Sequence, residues 1–482
     1  MKFTRCVLSL IAALIMSACV SYGPAWPDAA DEAIIIDVDK RADLTAELAS
    51  DIWDWAELGY HEEKSSGLLQ STLIDEGFTV EAGVAGIPTA FVAEYGAGGP
   101  VIAILAEFDA LPGLNQSRSP QREEVPGKGA GHACGHNLFG AGSVTAAISI
   151  RHWLEKTGTP GRIRVYGTPA EEGGSGKVYM VREGLFDDVD IAMHWHAAGL
   201  NTVFSQKTLA LRSAKFRFHG VSAHAAASPE QAHSALDGVE AFNMMVNMMR
   251  EHIPQESRVH YVITEGGSAP NVVPDFAEVY YYVRHPSVEG VEDIWAKLEN
   301  AARGAALGTG TSVSWEIIHG SQPLLVNEAL AEMMDEKLHT VGGVTYTPEE
   351  QAYAEKIAAT LEAPYLPVGT ETDVQPYRLS QGYASTDVGD VSYAAPTVGI
   401  LTATWVAGTP AHSWQAVAAS GSSIGYKGAQ VAAKTLTLAA IELYTNRKIR
   451  EKARAEFEAA LSSDYKYISM VGDREPPLDF RE

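Results

Sequence analysis

Six consecutive apolar residues, Val101 to Ala106, run directly into Glu107-Phe108-Asp109. A strand that is apolar on both faces has to be covered on both faces, which makes it the interior strand of a layered α/β sheet. Two further runs have the same character: Arg162–Gly167 leads to Pro169-Ala170-Glu171-Glu172, and Asp190–Met193 leads to His194-Trp195-His196. Between the strands, apolar residues recur at helical spacing. Leu44, Leu48, Ile52, Trp55 and Ala56 mark a helix within 41–59, and others are predicted at about 62–76, from Asn137 to about Lys156, and at 176–184. Further strands are predicted at about 78–82 and 89–95. Alternating strands and helices predict a mostly parallel α/β sheet. Such sheets bind ligands beyond the carboxyl ends of their strands. Asp109, Glu171, Glu172 and His196 all fall at those ends.

The pattern changes between 209 and 320. A strand (209–219), a helix (234–252), two strands (257–264 and 276–284), a helix (289–306) and a strand (312–318) follow one another. This β-α-β-β-α-β order is the split βαβ, ferredoxin-like unit. Inserted between halves of a larger α/β domain at 39–208 and 321–445, it reads as a lid or dimerisation domain. Met244, Met245, Met248 and Met249 are expected on the inner face of its first helix as core filling. The second half continues with a strand near 397–402 and a helix at 421–445, and residues 446–482 form a tail without a usable motif.

The 482 residues carry 36 Lys+Arg against 61 Asp+Glu, a net charge of −25. That acidity argues against nucleic-acid binding, which needs clustered cations. Lys2 and Arg5, an apolar run from Val7 to Met16, and Ser17-Ala18-Cys19 describe a secretory signal peptide over 1–18. The cysteine after Ser-Ala resembles a bacterial lipoprotein box, so Cys19 is expected to carry the lipid and residues 19–38 to form a tether. The expected location is the cell envelope, with the membrane reached through the lipid alone. Removing Lys2 and Arg5 takes the mature charge from −25 to −27. Of the three cysteines, Cys6 is discarded and Cys19 is lipidated, so Cys134 has no disulfide partner within the mature chain.

Cys134 lies in His132-Ala-Cys134-Gly-His136, just before a helix. A helix N-terminus favours the thiolate, the form that binds metal. Glu171 and Glu172 precede two glycines, which allow close backbone approach. One carboxylate can hold metal while its neighbour takes a proton from water. With His196 and His412 added, five side chains suffice for two divalent ions. Mixed S, N and O donors admit Mn, Zn or Co.

Gly131-His-Ala-Cys-Gly-His-Asn137, Pro169-Ala-Glu-Glu172, Trp195-His196, Ser222-Ala-His224, Asn271-Val-Val-Pro274, Arg284-His-Pro286, Ser385-Thr-Asp-Val-Gly-Asp390 and Pro410-Ala-His412 occur in one order. Together, over about 40–445, they resemble the amidohydrolase branch of the aminoacylase and glutamate-carboxypeptidase metallopeptidases. Asn137 stands where auxin-conjugate hydrolases usually have Asp, which favours the aminobenzoyl-glutamate side of that branch. The resemblance implies a three-layer α/β/α catalytic domain with a lid, and a homodimer. It implies metal ligands Cys134, His136, Glu172, His196 and His412, with Glu171 as general base. It also implies that His224 reaches the partner's site to stabilise an oxyanion, that Asn271 and Arg284 hold substrate, and that Asp109 supports the ligands from behind. The expected substrate is a small amide with a free carboxylate, an N-acyl or N-aroyl amino acid. Alternatives are a dipeptidase of the same family acting on β-alanyl-type dipeptides, and a non-catalytic envelope binding lipoprotein. The export signal departs from the generally cytoplasmic relatives.

Overall fold

The computed structural model describes residues 27–362, 366–461 and 465–481. The signal peptide and Cys19 lie outside the described residues. The catalytic sheet has seven strands in the order Thr79–Ala82, Phe91–Ala97, Gly161–Gly167, Val101–Ala106, Ile191–Ala198, Thr397–Ala403, Thr202–Val203. The four central strands from Gly161–Gly167 to Thr397–Ala403 run parallel. The outer strands are antiparallel. All six residues of Val101–Ala106 are at most 1% exposed. Because alternate side chains of a strand point to opposite faces, both faces of the sheet are covered, giving an α/β/α sandwich. The long helices His136–Thr157 and Ser423–Thr445 pack on each other and on the sheet.

The second domain is a four-stranded antiparallel sheet in the order Arg258–Glu265, Phe276–His285, Ala210–His219, Ser312–Ser321. Helices Ala235–Met249 and Val288–Thr309 cover it and share its core.

Four expectations need correction. Residues 29–38, assigned above to the tether, lie in a helix, Ala29–Asp39, capped by Asp28, and Val38 is buried in the catalytic core. The strand taken to stop before His194 continues to Ala198, so both His194 and His196 stand on the strand itself. Three of the four methionines face outward: Met244, Met245 and Met248 are 57%, 39% and 60% exposed, whereas Met249 packs against the lid core and Val239, Phe242 and Val246 face the sheet. This helix is apolar along two stripes, and periodicity alone cannot say which one meets the sheet; the stripe with the aromatic ring does. Finally, the tail begins with a helix, Arg447–Ala460, and its last residues run back to the catalytic centre.

Candidate metal centre

Four of the predicted ligands, Cys134, Glu172, His196 and His412, line one cavity of about 810 Å³ between sheet and lid, and the fifth, His136, is buried beside Cys134 and His196. Each reaches it through a local backbone device. Gly135 is left-handed at φ 76°, and a Cβ there would sit 2.4 Å from that of Ala197. Only glycine lets the Cys134 loop lie against the strand that carries His196. Ala170, Ser175 and His412 also have positive φ, at 57°, 64° and 59°. Such strain in residues with a side chain is costly and gathers at functional sites. The His412 amide donates to the Ala133 carbonyl at 3.0 Å, tying the His412 turn to the Cys134 loop.

Donor atoms of Cys134, His136 and His196 lie within 4.8 Å of one another, as do those of Cys134, Glu172 and His412. The two triads share the Cys134 sulfur, so all five predicted side chains form a pair of adjoining three-donor sites. Glu172 Oε1 and His412 Nε2 face each other at 3.1 Å without hydrogen-bond geometry, and Glu172 Oε1 is buried with no partner. Converging donors of S, N and O type, two of them (Glu172 Oε1 and His136 Nε2) buried without a hydrogen-bond partner, fit divalent cations. Burial and then Glu172 push the Cys134 thiol well up. The protein's own groups therefore favour the thiol, against the expectation from the helix N-terminus, and a cation is what would make it a thiolate. Burial opposes ionisation of Glu172, yet His412 and His136 hold its carboxyl low.

Behind the ligands stands a second layer. Asp109 Oδ1 pairs with His136 Nδ1 at 2.8 Å, and Asp109 Oδ2 accepts from the Glu172 amide at 2.9 Å. Asp109 thus orients two of the candidate donors at once and leaves His136 Nε2 turned toward the site. His132 is elsewhere: its Nε2 meets the Ile52 carbonyl at 3.0 Å. Asn137 is buried and donates to the carbonyls of Ala49 and Ser420 at 2.9 and 3.0 Å, two bonds that an Asp carboxylate cannot make.

Sequence reasoning passed over several residues. Glu107 Oε2 is 3.0 Å from His136 Nε2, and Glu107, His136 and Glu171 form a third triad of possible donors. Lys177, fully buried, bridges Glu107 at 2.7 Å and Asp387 at 2.6 Å. His319, Tyr282, His260 and Arg481 also line the cavity. Glu107 shares the strand-end signal of Asp109 and could have been found; Lys177 and Arg481 have no such signal. Arg284 lines the cavity as expected. His224 and Asn271 do not: both are exposed on lid loops, where His224 bridges to Val272.

The profile of Peptidase family M20/M25/M40 matches residues 103–389. The chain belongs to this family. It is 39% identical to a p-aminobenzoyl-glutamate hydrolase polypeptide of Escherichia coli (strain K12) over 456 residues, 89% of this chain and 94% of the relative. It is 30% identical to the Xaa-Arg dipeptidase of Mus musculus over 442 residues, 89% and 92% of the two chains. In fold it resembles a dinuclear metal-binding M20 peptidase of Bacillus subtilis, with a TM-score of 0.55, 17% identity and 86% and 99% coverage. The chain is thus an M20 hydrolase with a centre suited to metal.

Proposed function

We propose that this M20 enzyme hydrolyses the amide bond between an acyl or aroyl group and an amino acid with a free carboxylate, a p-aminobenzoyl-glutamate-like substrate, using two divalent ions. The observation that carries the reading is the unequal pair Glu171 and Glu172. Glu172 sits in a donor triad and is held ionised, whereas burial, then Glu107, Glu172 and Asp387, push the Glu171 carboxyl well above its usual range. Neighbouring carboxyls driven apart in this way divide the roles of ligand and base.

Divalent cations on Cys134, His136, Glu172, His196 and His412, with Mn, Zn and Co all admissible, would polarise the amide carbonyl and activate water. Ionised by the positive charge such cations would place beside it, Glu171 takes the proton from the attacking water as oxygen bonds to the amide carbon. It then gives that proton to the nitrogen as the C–N bond breaks. The Arg284 fork holds the substrate carboxylate; Asn271, which lies outside this chain's cavity on the lid loops with His224, is assigned to substrate in the site of a second subunit. His224 Nδ1 lies 3.2 and 3.1 Å from the amides of Ala226 and Ala227, which donate to it, leaving the proton on Nε2. That tautomer is the one that donates to an oxyanion.

Since His224 is outside the cavity of its own chain, the reading assigns it to the site of a second subunit. A homodimer through the lid fits the exposed apolar residues there, Met244, Met248, Val262 and Ile263. The helix and edge strand that carry them adjoin, because Asn247 reaches the Tyr261 hydroxyl at 3.4 Å. Export and lipidation at Cys19 rest on the N-terminal motif, and loss of membrane association in Cys19→Ala tests them. No helix among the described residues is long and apolar enough to cross a membrane.

Glu171→Gln should retain fold and two ions per chain while kcat on an N-aroyl amino acid falls roughly 10²- to 10⁴-fold. Near-wild-type turnover with metal bound would sink the mechanism. A panel of aroyl amino acids and dipeptides separates this substrate class from a dipeptidase.

A further inference from the structure

The last residues of the chain form a strap between the two domains. Tyr467 donates to Asp390 at 2.7 Å, and Gln322 donates to the Ile468 carbonyl at 3.0 Å. Met470 is 1% exposed within the lid core, and its neighbour Val471 is 2% exposed within the catalytic core. One peptide bond therefore links the two cores. Further on, Arg182 holds the Arg474 carbonyl at 2.5 Å and Arg474 pairs with Glu316 at 2.7 Å. Phe480 stands edge-on to Tyr60 at 5.7 Å. A Cβ at Gly173 would meet the Phe480 ring in ordinary contact at 3.4 Å, so the strap's end packs against the residue after Glu172.

Arg481 follows. Its Nη2 donates to the Glu172 carbonyl, and its guanidinium lies 4.9 Å from the centre of the Phe480 ring. It lines the metal cavity together with Arg284, which comes from lid strand Phe276–His285. The Nε atoms of both arginines are buried and have no partner. Among the described residues, neither guanidinium is part of an ion pair. Two half-buried guanidinium forks in one cavity, each with a buried Nε that has no partner and neither facing a carboxylate, suit an anion that joins them.

We propose that Arg481 and Arg284 form a two-point clamp for a leaving amino acid that carries two carboxylates, one on its α-carbon and one on its side chain. This rests on the hydrolase reading above and adds what selects the substrate. A planar fork matches a carboxylate in two parallel hydrogen bonds, so two forks read two carboxylates. The same cations repel a leaving residue with a basic side chain. The strap's attachments to both domains hold Arg481 against Glu172, so the second fork is in place when the lid is in the position described.

The test compares N-benzoyl-glutamate with N-benzoyl-glutamine, which differ in one charge. For wild type, Arg481→Met and Arg481→Lys, KM and kcat are measured on both. In Arg481→Met the KM ratio of glutamate to glutamine substrate should rise roughly 10- to 100-fold, the range of a charge-assisted hydrogen-bonded pair. The kcat ratio should stay within about threefold, and Arg481→Lys should recover part of the KM ratio. Equal losses on both substrates would show that Arg481 only braces the strap, and an unchanged ratio would also overturn the clamp. Calorimetric titration of metal-loaded wild type and Arg481→Met with glutarate is scored independently of turnover. If wild type cleaves neither substrate, the hydrolase reading fails. The clamp then still stands on weaker glutarate binding by Arg481→Met, or falls on equal binding.

Discussion

At the scale of single residues, the centre depends on one atom that both donor triads use. The Cys134 sulfur belongs to each, whereas His412 belongs to one. Replacing Cys134 by Ala should therefore lower metal content from two ions per chain toward none, while His412→Ala should leave about one, because a site with two of three protein donors binds weakly. Metal analysis after gel filtration, at matched free metal, reads the difference directly; equal content in the two variants would remove the shared-sulfur assignment. That these five side chains cluster was legible because each lies in a short motif near the end of a strand or the start of a helix. Lys177 and Arg481 were not. A lysine in a short helix and an arginine next to the C-terminus look like solvated charges. Their meaning arises from partners far away in sequence: Asp387 for Lys177 and the Glu172 carbonyl for Arg481.

At the scale of elements, the sequence placed strands and helices well where one stripe or run was apolar and less well where two competed. The strand Val101–Ala106 could only be interior, and it is. The helix Ala235–Met249 had two apolar stripes, and only packing against the sheet decided between them. The strap is the extreme case, since an extended segment with no period reveals nothing until both domains are present. Its first anchor makes it pH-sensitive. Burial pushes the Asp390 carboxyl up to about 7, although Tyr467 and Gln322 donate to it. In the unfolded chain the group ionises near its ordinary value of 3.8. Below that value both states hold the proton, and Asp390 contributes no slope. As pH rises from there to about 7, the unfolded state releases a proton that the folded state keeps, so stability falls across that window and levels off above it. The full effect is on the order of 4 kcal/mol. Asp390→Asn loses one hydrogen bond from Gln322 but also loses the slope. Urea unfolding of the two proteins from pH 4 to 8 should show wild type losing ground to Asp390→Asn as pH rises, and parallel curves would refute the buried protonated acid.

At the scale of the whole molecule, the two-domain plan followed from a change in strand order between 209 and 320, which is a long-range pattern that a sequence displays plainly. What a single chain could not display is the arrangement of its sites. Cys134, His136, Glu172, His196, His412 and Glu171 meet within one chain, but His224 stays on the lid surface beside Val272. If His224 serves the site of a second copy, each active site combines Glu171 of one subunit with His224 of the other. Two separately inactive variants, Glu171→Gln and His224→Ala, then complement each other. In a mixed dimer, the His224→Ala subunit keeps its own Glu171 and receives an intact His224 from its neighbour, so one of two sites is whole. Random reassortment into dimers makes half of them mixed, which predicts recovery to about a quarter of wild-type turnover in a two-fold symmetric dimer. Mixing after mild dissociation, followed by assay against each variant alone, measures it. If His224 acts on its own chain's site, every site in the mixture lacks one group and no activity returns. If the protein stays monomeric by sedimentation yet turns over fully, the shared site fails as well.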